Sequence, residues 1–370
     1  MTDTARGPAP HGPAPKPGIL DIAPYVGGKS RVEGVAEPIK LSSNENALGA
    51  GAKAREAYEA AIRNLALYPD GQAAKLREAV AGHHGLEPER LIFGNGSDEV
   101  FALLNQAYLT PGDNIVTGQY GFLAYQISAK ANQAVVKHAP EPGFKAKVDA
   151  LLDQVDERTR IVYVSNPSNP TGSWNSGEEI ARLHAALPET VLLVVDEAYA
   201  EFVTEPDWST AFPLARDAAN VVVTRTFSKI HGLAGLRIGF GYAPLAVAEA
   251  VDRIRLPFNV SVPGIEAAVA ALSDEAHVTA SRELVQTWRP RLTQAIKGFG
   301  FDVLPSAGNF VLVRFRDADQ CKAANEALNA KGIIVRPVGG YGLHDALRVT
   351  VGTEDQNRAV IDALNAFAAT

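Results

Sequence analysis

Lys229 has the richest chemical surroundings of any lysine in this 370-residue chain. It sits in the run Thr226-Phe227-Ser228-Lys229-Ile230-His231-Gly232, between two hydroxyls and, eight residues further on, Arg237. Most lysines are solvated surface charges. Hydroxyls beside an arginine, however, form a donor set suited to a phosphate, and a lysine next to such a site is poised to form a Schiff base. His231 reads as structural rather than catalytic. Asp196-Glu197-Ala198-Tyr199 closes the apolar run at residues 191–195. A carboxylate at the end of a buried strand either caps a helix or partners a cation, which could be a protonated ring nitrogen or a metal. No His or Cys lies nearby at metal-ligand spacing, which disfavours the metal.

Two further segments carry weaker signals. Gly94-Asn95-Gly96-Ser97-Asp98-Glu99 lies between an expected strand and an expected helix. Ser97 or Asp98 could cap that helix, or the turn could leave backbone N–H groups free for a phosphate. Asn166-Pro167-Ser168-Asn169-Pro170-Thr171-Gly172 is either a stiff loop or a rigid platform presenting two asparagines. A rival signal is Ala23-Pro24-Tyr25-Val26-Gly27-Gly28-Lys29-Ser30, a permissive version of the nucleotide-phosphate loop. That loop must lead into a helix, whereas Gly34 and Pro38 follow here, so nucleotide hydrolysis is rejected. No G-x-G-x-x-G follows the first strand, which removes a nicotinamide-binding fold.

These segments need elements to hold them. Helical patterns and short apolar runs alternate from about residue 50 to residue 270. Strands are expected at 91–94, 114–117, 134–137, 160–164, 191–195, 221–224 and 238–242, and several are continuously apolar. Such runs suit strands covered on both faces, and their alternation with helices predicts a mostly parallel α/β sheet. All four segments then fall at strand ends, where open α/β sheets bind ligands. The tail changes texture: strands at 310–315, 333–336 and 347–351, with helices at 318–330 and 354–367, predict a smaller α+β domain. The expected division is a disordered lead-in at 1–18, an arm at 19–50 belonging to the small domain, a large domain at 51–280 and the small domain at 281–370. A net charge of -7 without a basic stripe argues against nucleic acid. No apolar run approaches a membrane span, and no signal peptide is visible. The lone cysteine, Cys321, suits a reducing cytoplasmic compartment.

Taken together and in this order, the four segments resemble the fold-type I aminotransferases that use pyridoxal phosphate, from about residue 18 to the end. Ser43-Asn44-Glu45-Asn46, Tyr68-Pro69-Asp70, Pro257-Phe258-Asn259-Val260 and Leu347-Arg348-Val349-Thr350-Val351-Gly352 make the chain most similar to histidinol-phosphate aminotransferases. The resemblance implies that Lys229 binds pyridoxal phosphate covalently and that Asp196 pairs with the ring nitrogen. Asn169 and Tyr199 would bond the phenolic oxygen, with Tyr120 stacked on one ring face and Ala198 on the other. Ser97 and Asp98, by their backbones, would hold the phosphate with Thr226, Ser228 and Arg237. Tyr68 would reach it from the neighbouring subunit of a homodimer. Arg348 would clamp the substrate carboxylate, with Asn44, Tyr25 and Arg336 lining the substrate side. The implied reaction passes an amino group from histidinol phosphate to 2-oxoglutarate. Aromatic amino acids are the alternative donor, and decarboxylation of a phosphorylated amino acid is a further alternative. A non-catalytic regulatory domain would require an attached DNA-binding domain, for which the short, Pro-rich N-terminal segment is unsuited. Two positions depart from the family: Ala47 stands where a proline is usual, and Gly118-Gln119 precedes Tyr120 in place of Pro-Thr or Pro-Ser.

Overall fold

The computed structural model describes residues 13–24, 27–29, 31 and 35–369. Residues 1–12 of the lead-in expected at 1–18, Tyr25, and Val26 and Ser30 of the phosphate-loop-like segment lie outside the described residues. Thirteen strands occur among the described residues: β1 Ile39–Lys40, β2 Leu91–Asn95, β3 Asn114–Gly118, β4 Val135–Ala139, β5 Thr159–Ser165, β6 Leu192–Asp196, β7 Val221–Thr226, β8 Ile238–Tyr242, β9 Asp302–Val303, β10 Phe310–Arg314, β11 Ile333–Ile334, β12 Arg336–Pro337 and β13 Ala346–Thr350.

Seven of them form one sheet in the order β2-β8-β7-β6-β5-β3-β4. β3 to β7 run parallel, while β8 is antiparallel to both β2 and β7. The continuous apolar runs have a direct explanation. Successive side chains on a strand point to opposite faces, and here both faces are covered. Leu193, Val195, Val221 and Val223 enter one hydrophobic core, and Leu192, Val194 and Val222 the other.

A second, four-stranded antiparallel sheet has the order β12-β13-β10-β9. Its core packs Val311, Val313, Leu347 and Val349 against Val285, Trp288, Leu292, Val360 and Leu364 from helices Glu275–Gly298 and Glu354–Ala368. The arm joins this part of the molecule: β1 pairs in parallel with β11, and Leu41 enters the same core. The boundary expected at residue 280 falls inside Glu275–Gly298, a single helix. No helix among the described residues is long and apolar enough to cross a membrane.

Candidate active site

β5, β6 and β7 are parallel neighbours, so their C-terminal ends open on one edge of the sheet. Ser165, Asp196 and Thr226 lie at those ends and line one cavity together with Asn169, Ala198, Tyr199, Ser228, Lys229 and Arg237. Arg336 and Arg348 close it from the second sheet, and Ser42, Ser43 and Glu45 from the arm. The four segments read from the sequence therefore meet in one place.

Lys229 lies in the turn after β7, and its Nζ donates to the Ser43 carbonyl at 3.0 Å. Loss of hydration pushes its pKa down to about 8, helped by Arg348 and opposed by Glu45 and Asp98. An ammonium is hard to keep in such a place, so a neutral amine becomes accessible near neutral pH.

Asp196 ends β6 and is buried. Tyr125 Oη donates to one oxygen at 2.6 Å and Thr224 Oγ1 to the other at 3.2 Å. Burial pushes the carboxyl up to about 6, although both hydroxyls favour the ionised form. Among the described residues Asp196 has no ion-pair partner, and it caps no helix. A buried carboxylate in this state would be stabilised by a cation in the cavity, which is what a protonated ring nitrogen would supply. Among the described residues no cluster of three or more His, Cys, Asp or Glu is arranged for a metal.

The anion cradle is built on Gly96 and Gly239. Helix Ser97–Tyr108 begins after Gly96, whose φ is 77°, and no side chain caps it. Neither Ser97 nor Asp98 plays the capping role the sequence allowed, which leaves first-turn N–H groups to face an anion. A Cβ on Gly96 would lie 2.5 Å from Arg237 Nη2, and one on Gly239 2.3 Å from Ser97 N. Only glycine lets the guanidinium and the helix end come this close. Arg237 Nη1 donates to Ser228 Oγ at 3.3 Å, and Nη2 pairs with the Asp98 carboxylate at 3.1 Å. Thr226 Oγ1 accepts from the Ser228 N–H at 3.1 Å. These residues fit a phosphate-bearing cofactor with a basic ring nitrogen.

The asparagine loop divides its duties. Asn169 lines the cavity and accepts from Arg348 Nη1. Asn166 is a staple: its N–H bonds the Asp196 carbonyl at 2.8 Å, and its side chain bonds the backbone of Asn175. Arg348 Nη2 also donates to the Ser42 carbonyl at 2.8 Å. Arg348 and Arg336 are directly paired residues on adjacent antiparallel strands, so they share a face of the sheet.

Three expected site residues, Tyr120, Asn44 and Tyr68, do not lie on the cavity wall. Tyr120 lies within a tight turn in which the Gly121 N–H bonds the Gly118 carbonyl at 2.9 Å. Its ring stacks on Phe144, centroids 5.7 Å apart, and its N–H bonds Glu141. Phe122, two residues later, lines the cavity instead. It precedes helix Leu123–Ala131, and Tyr125, three positions on, is the donor to Asp196. The resemblance implies Tyr120 for the ring face, at a position where the family's usual Pro-Thr or Pro-Ser is replaced by Gly118-Gln119. The spacing Phe122-x-x-Tyr125, which puts two aromatics on one side of a helix start, was the available signal.

Asn44 is the second case. Fully buried, with φ of 55°, it donates from Nδ2 to Tyr199 Oη at 2.9 Å and accepts from Thr350 Oγ1 at 3.1 Å. It stands behind the wall and fixes Tyr199. Tyr68 is 83% exposed and stacks on Phe258 with centroids 4.8 Å apart, away from this cavity. His231 is buried against Phe227, and burial pushes its pKa down to about 4.

Behind the site lies a buried charge cluster that the sequence did not reveal. Arg225 of β7 donates to Glu197 at 3.0 Å and to Glu201 at 2.7 Å, and Glu197 also accepts from the Ala211 N–H. The cluster ties the end of β7, which leads to Lys229, to the segment that carries Asp196 and Tyr199.

Comparisons with known proteins agree with this geometry. Residues 36–364 match the family model for aminotransferase class I and II. Histidinol-phosphate aminotransferase 1 of Caulobacter vibrioides is 56% identical over 356 residues, 95% of this chain and 99% of that protein. The histidinol-phosphate aminotransferase of Maricaulis maris is 48% identical, covering 95% of this chain and 98% of its own. The crystal structure of the Sinorhizobium meliloti histidinol-phosphate aminotransferase in complex with pyridoxal-5'-phosphate superposes with a TM-score of 0.88 at 28% identity, covering 95% of this chain and 96% of that one. The chain belongs to the class I and II aminotransferases, and within them to the histidinol-phosphate aminotransferase family.

Proposed function

We propose that this chain is a pyridoxal-phosphate transaminase that takes the amino group of histidinol phosphate and delivers it to 2-oxoglutarate. The observation that carries the donor assignment is the pairing of Arg336 with Arg348 on one cavity that also holds Lys229. A phosphate ester is a dianion, and two adjacent guanidiniums suit it better than one would. The α-carboxylate of 2-oxoglutarate can use the same arginines. One cationic end thus serves both substrates.

Pyridoxal phosphate, when bound, supplies an aldehyde that condenses with amines and a ring that draws in electrons left at the amine-bearing carbon. Lys229 carries the cofactor and, once released, removes the proton from that carbon, for which an amine titrating near 8 is well placed. Asp196, held by Tyr125 and Thr224, keeps a proton on the ring nitrogen. Tyr199, fixed by Asn44, and Asn169, fixed by Arg348, orient the ring oxygen. Ser97, Asp98, Thr226, Ser228 and Arg237 anchor the phosphate. Phe122 and Ala198 provide the faces for the ring.

The active unit is a homodimer. Leu65, Leu67, Tyr68, Leu256 and Phe258 are exposed apolar side chains, and the Tyr68–Phe258 stack brings their two segments together. Such a patch marks an association surface, from which Tyr68 would reach the neighbouring site.

Borohydride reduction of the holoenzyme should fix the cofactor to the peptide carrying Lys229, and Lys229→Ala should lose turnover. kcat/KM for histidinol phosphate should exceed that for tyrosine and phenylalanine with 2-oxoglutarate as acceptor. A preference for either aromatic amino acid would replace the donor assignment, and labelling of another lysine would replace Lys229.

A further inference from the structure

With histidinol phosphate and 2-oxoglutarate taken as substrates, as proposed above, one cavity must also accept two different far ends. If the arginines take the phosphate or the α-carboxylate, the other arm brings an imidazole in one case and a second carboxylate in the other. The cations of the cavity, Lys229, Arg237, Arg336 and Arg348, offer only donors and cannot satisfy a ring N–H. An imidazole N–H needs an acceptor.

Three acidic side chains line the cavity among the described residues. Asp196 is held by Tyr125 and Thr224, and Asp98 is paired with Arg237. Glu45 is the third and stands apart from the cofactor cradle. It lies two residues beyond Ser43, whose carbonyl meets Lys229 Nζ, and its charge opposes that of Arg348 at this lysine. Its backbone is fixed, since Asn309 Nδ2 donates to the carbonyls of both Asn44 and Glu45, at 3.1 and 3.4 Å. Its carboxylate pairs with Lys40 of β1 and stays partly exposed, and the residue lines the cavity.

We propose that Glu45 selects the imidazole end of the donor by accepting its ring N–H, and that Lys40, by pairing with Glu45, keeps the same end open to the second carboxylate of the acceptor. A carboxylate attracts a ring that is neutral or protonated near pH 7. Alone it would repel the carboxylate of 2-oxoglutarate. The neighbouring ammonium offsets that repulsion and offers a counter-charge, so a single ion pair reads two ends of opposite character.

Single-turnover half-reactions of the holoenzyme test this with histidinol phosphate, 2-oxoglutarate and phenylalanine, whose ring has no N–H. Glu45→Gln should lower kcat/KM for histidinol phosphate on the order of tenfold to a hundredfold, the loss expected for a charge-assisted hydrogen bond. Phenylalanine and 2-oxoglutarate should change by no more than about threefold, a rim-charge effect. Lys40→Met should instead slow the 2-oxoglutarate half-reaction selectively. Equal losses for all three substrates in Glu45→Gln, or no loss for histidinol phosphate, would overturn the selecting role. An unchanged acceptor half-reaction in Lys40→Met would overturn the role of the lysine. Should Glu45→Gln fail to hold the cofactor, Glu45→Asp, which withdraws the carboxylate by one methylene, is read by the same substrate ratio. A wild-type enzyme that uses phenylalanine but not histidinol phosphate would count against the donor assignment itself, a result distinct from any of these.

Discussion

At the scale of single residues, the cavity is a set of groups each held by a second one. Asp196 relies on Tyr125 and Thr224, Tyr199 on Asn44, and Arg237 on Ser228 and Asp98. The most informative residue is Phe122, because the sequence pointed to Tyr120 instead. Phe122→Ala should weaken pyridoxal phosphate binding about tenfold, the combined loss of ring contact and buried apolar area. Tyr120→Phe should leave it unchanged, since the Tyr120 ring packs on Phe144 outside the cavity. Titration of the apoenzyme with cofactor, followed by visible absorbance, measures both. Tighter dependence on Tyr120 than on Phe122 would return the stacking role to Tyr120.

Secondary elements position these residues through their ends. β5, β6 and β7 are in parallel register, with Ser165 opposite Asp196 and Asp196 opposite Thr224. The Arg225 cluster fixes two of these ends to each other, at the point where each departs from the sheet. Arg225 is buried, as is Glu197, and removing the cation would strand carboxylates in the interior. Arg225→Met should therefore destabilise the fold by about 3–5 kcal/mol, the usual result of breaking a buried pair from one side. Arg225→Met combined with Glu197→Gln and Glu201→Gln should recover much of that loss, because the stranded charges are gone. Urea midpoints of the three proteins decide it. A single variant as stable as wild type would mean the cluster contributes nothing beyond packing.

At the scale of the whole molecule, the site draws on distant stretches of chain: the arm supplies Ser43 and Glu45, the seven-stranded sheet supplies Lys229 and Asp196, and the second sheet supplies Arg336 and Arg348. If Tyr68 completes the site of a second copy, each active site also needs two protomers. Tyr68→Ala and Lys229→Ala should then each be impaired alone. Mixed by unfolding and refolding, they should regain activity, because one site of every hybrid dimer carries neither change. Random pairing gives about a quarter of the wild-type activity, by the symmetry of a two-fold dimer. No recovery from hybrids confirmed by mass would restrict Tyr68 to its own protomer.

The sequence by itself determined the sheet-forming runs, because strands buried on both faces must be apolar throughout, as residues 191–195 and 221–224 are. It also marked Asp196, because a carboxylate right after such a run demands a partner, and Lys229, Asn169 and Arg237, because hydroxyls, prolines and an arginine cluster around them in a pattern suited to a phosphate-bearing ligand. The alternation at Leu347, Arg348 and Val349 similarly separated the face that enters the core from the face that meets the cavity. Three things were decided only by tertiary structure. The turn at Gly118–Gly121 swung Tyr120 away and brought Phe122 in; the Phe122-x-x-Tyr125 spacing allows this, but only the backbone direction decides it. The left-handed backbone at Asn44 turned its side chain toward Tyr199 and Thr350. The partners of Arg225, Arg348 and Glu45 come from segments far apart in the chain, and long-range pairing of charges leaves no local pattern to read.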